Sequence, residues 1–251
     1  MNIAAIAERL DTAMCDARAV PQLPEPLSLD QAYAVQAASL ARRYARGERR
    51  VGIKMGFTSL AKMEQMGISE VIWGRLTDAM QVTDGASVPL DRFVHPRIEP
   101  EIAFLLAADL PGDISEAQAY AALAGVAPAL ELIDSRYENF RFSLSDVVAD
   151  NSSSSAFVVG PWHAPFPDLA DLDFTMAIGG EPKQVGSSAA ILGDPIRSLV
   201  RAARLAAAAG EPLQAGDVVM AGGATAAEAL RRGDHVVLEV ARLGSVSVAI
   251  D

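Results

Sequence analysis

Cysteine is almost absent from this sequence, and its scarcity excludes several kinds of protein. Cys15 is the only cysteine among 251 residues, so the chain can form no internal disulfide and has no cysteine cluster to bind a metal. Basic residues are also in the minority, since 21 lysines and arginines stand against 32 acidic residues, giving a net charge of −11. This charge disfavours binding to nucleic acid or to an anionic membrane, although it is compatible with a local cationic pocket.

Long hydrophobic runs and a signal peptide are also missing. No stretch approaches the roughly 18 to 20 apolar residues that cross a bilayer. The N-terminal segment mixes acidic with apolar residues and lacks the basic and apolar regions of a secretory signal. We therefore expect a cytoplasmic protein. The composition, 51% hydrophobic and 21% charged, predicts a folded chain with a sizeable core.

Hydrophobic periodicity predicts an α+β fold. Residues 1–50 read as two helices, the second beginning at Ser28 with Gln31 as its capping-box partner. Further helices are predicted over 115–125 and from Asp194 to about Ala209, with a helical turn over 59–67. The predicted strands are 51–57, 87–106, 128–134, 155–160, a hairpin around Gly179-Gly180, 216–223, 235–242 and 245–251. Early helices followed by strands are typical of α+β proteins rather than of a regular βαβ alternation.

The segment HPRIEPEIAF, residues 95–104, places two carboxylates inside an apolar strand. Alternate side chains of a strand share a face, so Arg97, Glu99 and Glu101 are predicted to lie together. Carboxylates this close repel each other, and burial raises the cost unless a cation or protons offset it. A solvated strand surface is the commoner explanation of a Glu-x-Glu pair seen in isolation.

Glu131 adds a third acidic side chain to a segment that is otherwise apolar. Three glutamates on strands suit a hard divalent cation such as Mg²⁺ or Mn²⁺, and the lack of histidine or thiolate in the set disfavours zinc. Arg97 or Lys54 could equally neutralise the same charges in a structural network. The spacing alone does not decide between these alternatives.

Lys54 is a lone cation in the apolar strand VGIKMGF, between Gly52 and Gly56. Glycines there permit close approach of a ligand, so the ammonium could bind a carboxylate or stabilise an enolate. A Schiff-base lysine and a lysine that reaches the surface are the competing interpretations. His95 is expected to be a structural hydrogen-bonding residue. The polar loop 149–155 and the segment GGAT (222–225), which could begin a helix, could each hold a carboxylate.

Taken together, these segments resemble a known family. GIKMGFTS, WGRLTDAM, HPRIEPEIAF, PALELIDSR, VVADNSSSS, GDVVMAGGAT and LGSVSV are similar, in that order, to the hydratase/decarboxylase branch of the fumarylacetoacetate-hydrolase-like proteins. The resemblance covers nearly the whole chain. It implies a mixed β-roll over residues 51–251 with a helical region, residues 1–50, packed on it. It also implies a homo-oligomer, which could associate with the pathway hydratase.

The resemblance also implies a set of functional residues. Glu99, Glu101 and Glu131 would bind Mg²⁺ or Mn²⁺, and Lys54 would bind substrate and stabilise developing negative charge. Asp78 would handle a proton, and Ser153, Ser155 and Thr225 would donate hydrogen bonds to the substrate carboxylates.

The implied reaction is metal-dependent decarboxylation of a small 2-oxo dicarboxylic acid, 2-oxohex-3-enedioate, in the meta-cleavage route of catechol degradation. Hydration of 2-hydroxypenta-2,4-dienoate at the same site is the main alternative. A Schiff-base enzyme using Lys54 and a metal-stabilised binding domain without turnover are the further alternatives.

Overall fold

Two β-sheets form the frame of the protein within residues 2–59 and 71–251, the residues that the computed structural model describes. The α-helices are α1 (Ile3–Cys15), α2 (Leu29–Ala45), α3 (Glu116–Ala121), α4 (Leu144–Ala149) and α5 (Pro195–Ala208). The strands are β1 (Arg50–Gly56), β2 (Ile72–Thr77), β3 (Gln81–Val82), β4 (Ser87–Val88), β5 (Arg97–Leu106), β6 (Leu123–Ile133), β7 (Ser154–Val159), β8 (Asp173–Ile178), β9 (Glu181–Ser187), β10 (Val218–Met220), β11 (Glu228–Ala229), β12 (His235–Val240) and β13 (Gly244–Ile250). The predicted α+β class is confirmed.

Both sheets are mixed. The larger runs in the order β2-β1-β10-β5-β6-β7-β3, with β11 paired to β5, and the smaller runs β4-β13-β12-β8-β9. Strand β1 pairs in parallel with β10, whereas β5 and β6 are long antiparallel neighbours. This order brings β1, from the start of the chain, within one strand of β5. The frame thus places Lys54 close to the acidic segments.

Alternation along β5 and β6 divides their side chains between two hydrophobic clusters. Ile98, Ile102 and Leu130 belong to a large cluster formed by strands of both sheets together with α5. The opposite face carries a smaller cluster: Leu76, Met80, Ala103, Ala129, Phe157 and Met220. Glu99 and Glu101 share the face of Ala103, and Glu131 shares that of Ala129. The three glutamates therefore extend the smaller cluster at one end.

The helices begin and end where local signals predict. Ser28 Oγ accepts a hydrogen bond from the Gln31 backbone, and Gln31 Oε1 accepts one from Ser28 N, which completes the predicted capping box. Asp194 caps α5, whose first residue is Pro195. Helix α3 is shorter than predicted, because it ends at Ala121 and β6 already begins at Leu123.

The N-terminal helices pack on the main body through a separate cluster that includes Leu10, Val35, Ile72 and Val148. Buried Gln36 of α2 donates hydrogen bonds to the carbonyls of Trp73 and Val148, at 3.1 and 2.8 Å. These contacts join α2 to β2 and α4. The division of the chain at residue 50 stays a prediction.

Several other sequence predictions meet a definite outcome. The hairpin at Gly179-Gly180 is confirmed between β8 and β9. The predicted continuous strand 87–106 is divided into β4 and β5, and no helix follows GGAT, which leads through a loop into β11. Strand β2 and helix α4 were not predicted. The predicted turn over 59–67 lies almost wholly outside the described residues. None of the helices described is both long and apolar enough to cross a membrane.

Candidate metal centre

Three carboxylates converge on one face of the larger sheet. The register of β5 and β6 pairs Glu99 directly with Glu131, and Glu101 lies two residues further along β5. One carboxylate oxygen from each of the three lies within 4.8 Å of the others. Glu101 and Glu131 are both 0% exposed, while Glu99 is partly accessible. The surface alternative for the Glu-x-Glu pair is therefore wrong.

Lys54 partly neutralises this acidic cluster. Its Nζ lies 3.0 Å from Glu131 Oε2 and donates a hydrogen bond to the Ser152 carbonyl at 3.0 Å. Burial by itself lowers the pKa of the Lys54 ammonium, but the carboxylates of Glu131, Glu99 and Glu101 outweigh burial and raise that pKa above its usual range. Lys54 is thus held as a cation, which disfavours its use as a Schiff-base nucleophile.

Glu101 is poorly compensated as an anion. Burial raises the pKa of its carboxyl well above the usual range, and repulsion from Glu131 and Glu99 raises it further. The Lys54 ammonium and a 2.8 Å hydrogen bond from Gly222 N act in the opposite direction. A bound divalent cation would reverse this balance and favour the ionised form.

The oxygen atoms of the cluster leave room for an ion. Glu131 Oε1 accepts a 2.8 Å hydrogen bond from Ser154 Oγ. Glu131 Oε2 is paired with the Lys54 ammonium, whereas Glu101 Oε1 receives no hydrogen bond from the residues that the structure describes. Buried carboxylate oxygens without donors are costly, and an all-oxygen donor set suits Mg²⁺ or Mn²⁺.

The turn at Gly222 and Gly223 closes over the cluster. Gly222 has φ of +108°, and a Cβ there would lie 2.1 Å from Thr58 Oγ1. A Cβ on Gly223 would lie 3.1 Å from the carboxylate carbon of Glu99. GGAT was predicted to present backbone N–H groups to an anion at the start of a helix. In the structure Gly222 N does donate to an anion, but the anion is the carboxylate of Glu101 and the donor lies in a loop.

A left-handed turn at residues 151–153 brings polar groups to Lys54. Asn151, Ser152 and Ser153 have φ of 51°, 52° and 60°, a conformation that is rare for residues with a side chain. Asn151 holds the turn to β2, since its amide accepts from Arg75 N at 2.8 Å and donates to Arg75 O at 2.9 Å. Ser152 Oγ donates to Trp73 O at 2.7 Å. These hydrogen bonds to β2 offset the strain of the left-handed backbone and keep the turn in place beside the cluster.

Of the predicted hydroxyl donors, the structure brings Ser153 to the site. Ser153 Oγ is buried, lines the cavity beside Lys54 and has no hydrogen-bond partner among the described residues. Ser155 is the extra residue of a β-bulge opposite Ile133, and its Oγ is bonded to Arg136 Nη1 at 2.5 Å instead. Because of the same bulge, it is Ser154 that contacts Glu131, a role that the strand pattern did not predict.

Asp78 is not brought to the cluster, and Thr225 contacts other parts of the chain. Asp78 follows β2, four residues beyond the Gly74 that pairs with Lys54, and its carboxylate is bound to Arg49 at 2.9 Å. Four residues of strand correspond to about 13 Å. Thr225 Oγ1 donates to Ala226 O, and its methyl group packs against Gly186 in β9. The predicted catalytic role of Asp78 has no geometric support, and the predicted substrate-binding role of Thr225 stays a prediction.

A cavity of about 290 Å³ opens beside the carboxylates. Its polar wall contains Lys54, Glu99, Ser153 and, at one side, Arg97. The cavity is also lined by apolar side chains, which are Phe57, Ile72, Ile133, Phe140, Phe142 and Val147. His95 serves as a structural residue here, since its Nδ1 lies 3.1 Å from Ser135 O and its ring packs edge-on against Phe140.

Comparison with known proteins gives a consistent result over the whole chain. Residues 53–250 match the family described as fumarylacetoacetate (FAA) hydrolase, C-terminal. A 4-oxalocrotonate decarboxylase from Pseudomonas sp. is 53% identical, over 98% of this chain and 97% of its own length. The 2-keto-4-pentenoate hydratase 1 of Dechloromonas aromatica is 35% identical, over 98% of this chain and 96% of its own.

A solved structure supports the same likeness. The 4-oxalocrotonate decarboxylase of Pseudomonas putida G7, complexed with magnesium and adipate, superposes with a TM-score of 0.95 at 39% identity. The match covers 99% of this chain and 97% of that one. The predicted family resemblance and β-roll fold are confirmed.

Proposed function

Because the chain belongs to the fumarylacetoacetate hydrolase family, we propose that it is a metal-dependent decarboxylase of 2-oxohex-3-enedioate, also called 4-oxalocrotonate. The products are 2-hydroxypenta-2,4-dienoate and CO₂, in the degradation of aromatic rings. The comparisons favour this activity over the alternative hydratase, because the relatives named as decarboxylases are 40 to 53% identical and the hydratase of Dechloromonas 35%. The sequence prediction of a carboxy-lyase is thereby confirmed.

The single observation that carries the chemistry is the convergence of Glu99, Glu101 and Glu131, whose carboxylate oxygens lie within 4.8 Å of one another, with the buried Glu101 Oε1 lacking a donor among the described residues. These three residues would hold Mg²⁺ or Mn²⁺. When bound, the ion supplies Lewis-acid polarisation of the 2-oxo acid. The related 4-oxalocrotonate decarboxylase from Pseudomonas putida G7 was solved in complex with magnesium.

Lys54 is proposed to stabilise the charge that develops as CO₂ leaves. The C5–C6 bonding electrons become the C4–C5 double bond, the C3–C4 double bond shifts to C2–C3, and negative charge collects on the 2-oxo oxygen. A fixed ammonium in the cavity wall favours that charge without a covalent intermediate. Protonation of the oxygen then gives the 2-hydroxydienoate.

Ser153 is proposed to bind the carboxylate next to the 2-oxo group. Ser153 lines the cavity, and its buried hydroxyl has no partner among the described residues, so a substrate oxygen would satisfy it. The Ser152 carbonyl, which accepts from Lys54 Nζ, orients the ammonium toward the same space.

The activity is tested by supplying 2-oxohex-3-enedioate with Mg²⁺ and following both CO₂ and the organic product. We expect equimolar CO₂ and 2-hydroxypenta-2,4-dienoate, loss of turnover with a chelator and its return with Mg²⁺. Consumption of 2-hydroxypenta-2,4-dienoate by addition of water, with no release of CO₂ from the diacid, would identify a hydratase instead. Inactivation by borohydride with indifference to chelator would identify a Schiff-base enzyme.

Assembly into a homo-oligomer, and association with the pathway hydratase, are proposed on the family resemblance. Multi-angle light scattering of the protein, alone and mixed with the hydratase, tests both proposals. A monomer that does not change mass on mixing would contradict them.

A further inference from the structure

Arg97 is an arginine at the cavity without a carboxylate partner. It lies two residues before Glu99 on β5, and its guanidinium carbon stacks 4.2 Å from the centroid of the Phe140 ring. Across the described residues, none of its nitrogen atoms approaches a carboxylate oxygen within salt-bridge distance. Other well-buried arginines do have such partners: Arg43 with Glu48, Arg50 with Asp217, Arg75 with Glu211 and Arg136 with Asp150.

The cavity that Arg97 lines has both charged and apolar residues in its wall. Lys54 and Glu99 line it together with Arg97, and Phe140, Phe142 and Ile133 add apolar surface. Cα atoms two residues apart on a strand are separated by about 7 Å. This spacing is comparable with the separation of the two carboxylates in an extended six-carbon diacid.

We propose that Arg97 binds the distal carboxylate of the substrate and makes the site selective for dicarboxylic over monocarboxylic 2-oxo acids. The inference rests on the proposed function, because that function places the 2-oxo acid end at the cluster. Lys54 is not available for the same task, since its ammonium is committed to Glu131 and to the Ser152 carbonyl.

The setting of Arg97 suits a carboxylate that must later leave as CO₂. Arg97 is half-buried, and one face of its guanidinium is occupied by Phe140. Attraction between charges is weaker where water has access than in a dry interior, so the contact selects the diacid without strongly opposing loss of its charge. The aromatic rings beside it exclude part of the water around the departing group.

The test compares two ligands that differ in one carboxylate, 2-oxoadipate and 2-oxohexanoate, by calorimetry in the presence of Mg²⁺. In Arg97→Met the dissociation constant of 2-oxoadipate should rise about tenfold or more, as expected for loss of a charge-assisted hydrogen bond. That of 2-oxohexanoate should stay within about twofold. For the substrate, KM should rise while kcat changes little.

Arg242→Met is the matched control, because Arg242 also stacks on a phenylalanine, Phe166, at 3.9 Å and lies outside the cavity lining. It should leave both dissociation constants unchanged. Arg97→Lys keeps the positive charge but loses the planar guanidinium group. It should weaken the binding of 2-oxoadipate less than Arg97→Met does, and it should leave the binding of 2-oxohexanoate unchanged. This variant also serves if the methionine variant does not fold.

The inference would be overturned if Arg97→Met weakened the binding of both ligands equally, or if it weakened the binding of neither. Its failure is distinguishable from failure of the proposed function, which is read from CO₂ release by the unaltered protein. If that protein releases no CO₂ but the preference for 2-oxoadipate depends on Arg97, the inference stands and the proposed function does not.

Discussion

Glu101 is the residue whose energetics depend most on whether a cation is bound. It is completely buried, one of its oxygens lacks a donor among the described residues, and its pKa is raised well above the usual range. Such a carboxylate lowers the stability of the metal-free protein at neutral pH. We propose that this cost is retained because the same group binds the ion.

Glu101→Gln should therefore separate stability from function. Without metal, the variant should be more stable than the original protein by roughly 1–2 kcal/mol, because a neutral amide of the same shape replaces an uncompensated buried charge. Mg²⁺ should no longer stabilise the variant, and turnover should fall by about a hundredfold or more. Thermal denaturation with chelator and with Mg²⁺, together with the CO₂ assay, measures these effects. A variant that is stabilised by Mg²⁺ as strongly as the original would contradict the ligand assignment.

At the scale of elements, the left-handed turn 151–153 depends on its close approach to β2. Gly74 faces the turn, and a Cβ on Gly74 would lie 2.5 Å from the backbone oxygen of Asn151. No ordinary side chain fits there without moving the turn. The left-handed turn 151–153 also positions the Ser152 carbonyl and the Ser153 hydroxyl.

Gly74→Ala should reduce stability by about 1–3 kcal/mol, the usual range for overpacking. It should also lower kcat, because Ser152 and Ser153 are displaced from Lys54. Gly210→Ala is the control. Gly210 ends α5 with φ of +77° and open space around it, so its substitution costs stability without touching the cavity. We expect Gly210→Ala, unlike Gly74→Ala, to keep the normal kcat per folded molecule. If the two variants retain the same kcat, the turn has no positioning role.

The elements that sequence reasoning predicted are those with strong local signals. Ser28 with Gln31, Asp194 with Pro195, and Gly179-Gly180 each define an end or a turn by chemistry within a few residues. Strand β2 was missed because Gly74 and Arg75 interrupt the apolar pattern of Ile72, Trp73 and Leu76. Those residues pack on, or bond to, parts of the chain that are distant in sequence. Helix α4 has only 6 residues, too few to show periodicity.

The candidate site was predicted unevenly for the same reason. The shared face of Glu99 and Glu101 follows from strand alternation, and the apolar neighbours of Glu131 indicate a buried charge. The bulge that exchanges the roles of Ser154 and Ser155, and the αL conformation of three residues with side chains, have no such local signature. Arg97 was weighed as a neutralising partner for the glutamates, whereas the structure stacks it on Phe140.

For the whole molecule, the acidic cluster makes stability depend on pH and metal together. A glutamate whose pKa is higher in the folded than in the unfolded state binds its proton more tightly when folded. The free energy of unfolding therefore falls as pH rises from the unfolded value, near 4.5, through the raised one. Asp150, whose pKa burial raises to about 6, contributes in the same direction at the acidic end of this range.

We expect the melting temperature of the metal-free protein to decline between about pH 5 and pH 8 relative to that of Glu101→Gln. Asp150 is present in both proteins, so the difference isolates Glu101. Mg²⁺ should raise the melting temperature of the original protein again in the upper part of this pH range, because the ion binds the ionised form of Glu101. Melting curves recorded in chelator and in Mg²⁺ test this, and parallel pH profiles for the two proteins would contradict it.

The side chains proposed to bind the ion stand on β5 and β6, whereas three rings of the cavity wall come from connecting segments: Phe57 after β1, and Phe140 and Phe142 between β6 and α4. The proposed metal site and this aromatic part of the wall thus belong to separable parts of the chain. Libraries that vary only these connectors should change which 2-oxo acids are accepted while leaving the reaction type intact. The scaffold is therefore well suited to diversification by directed evolution.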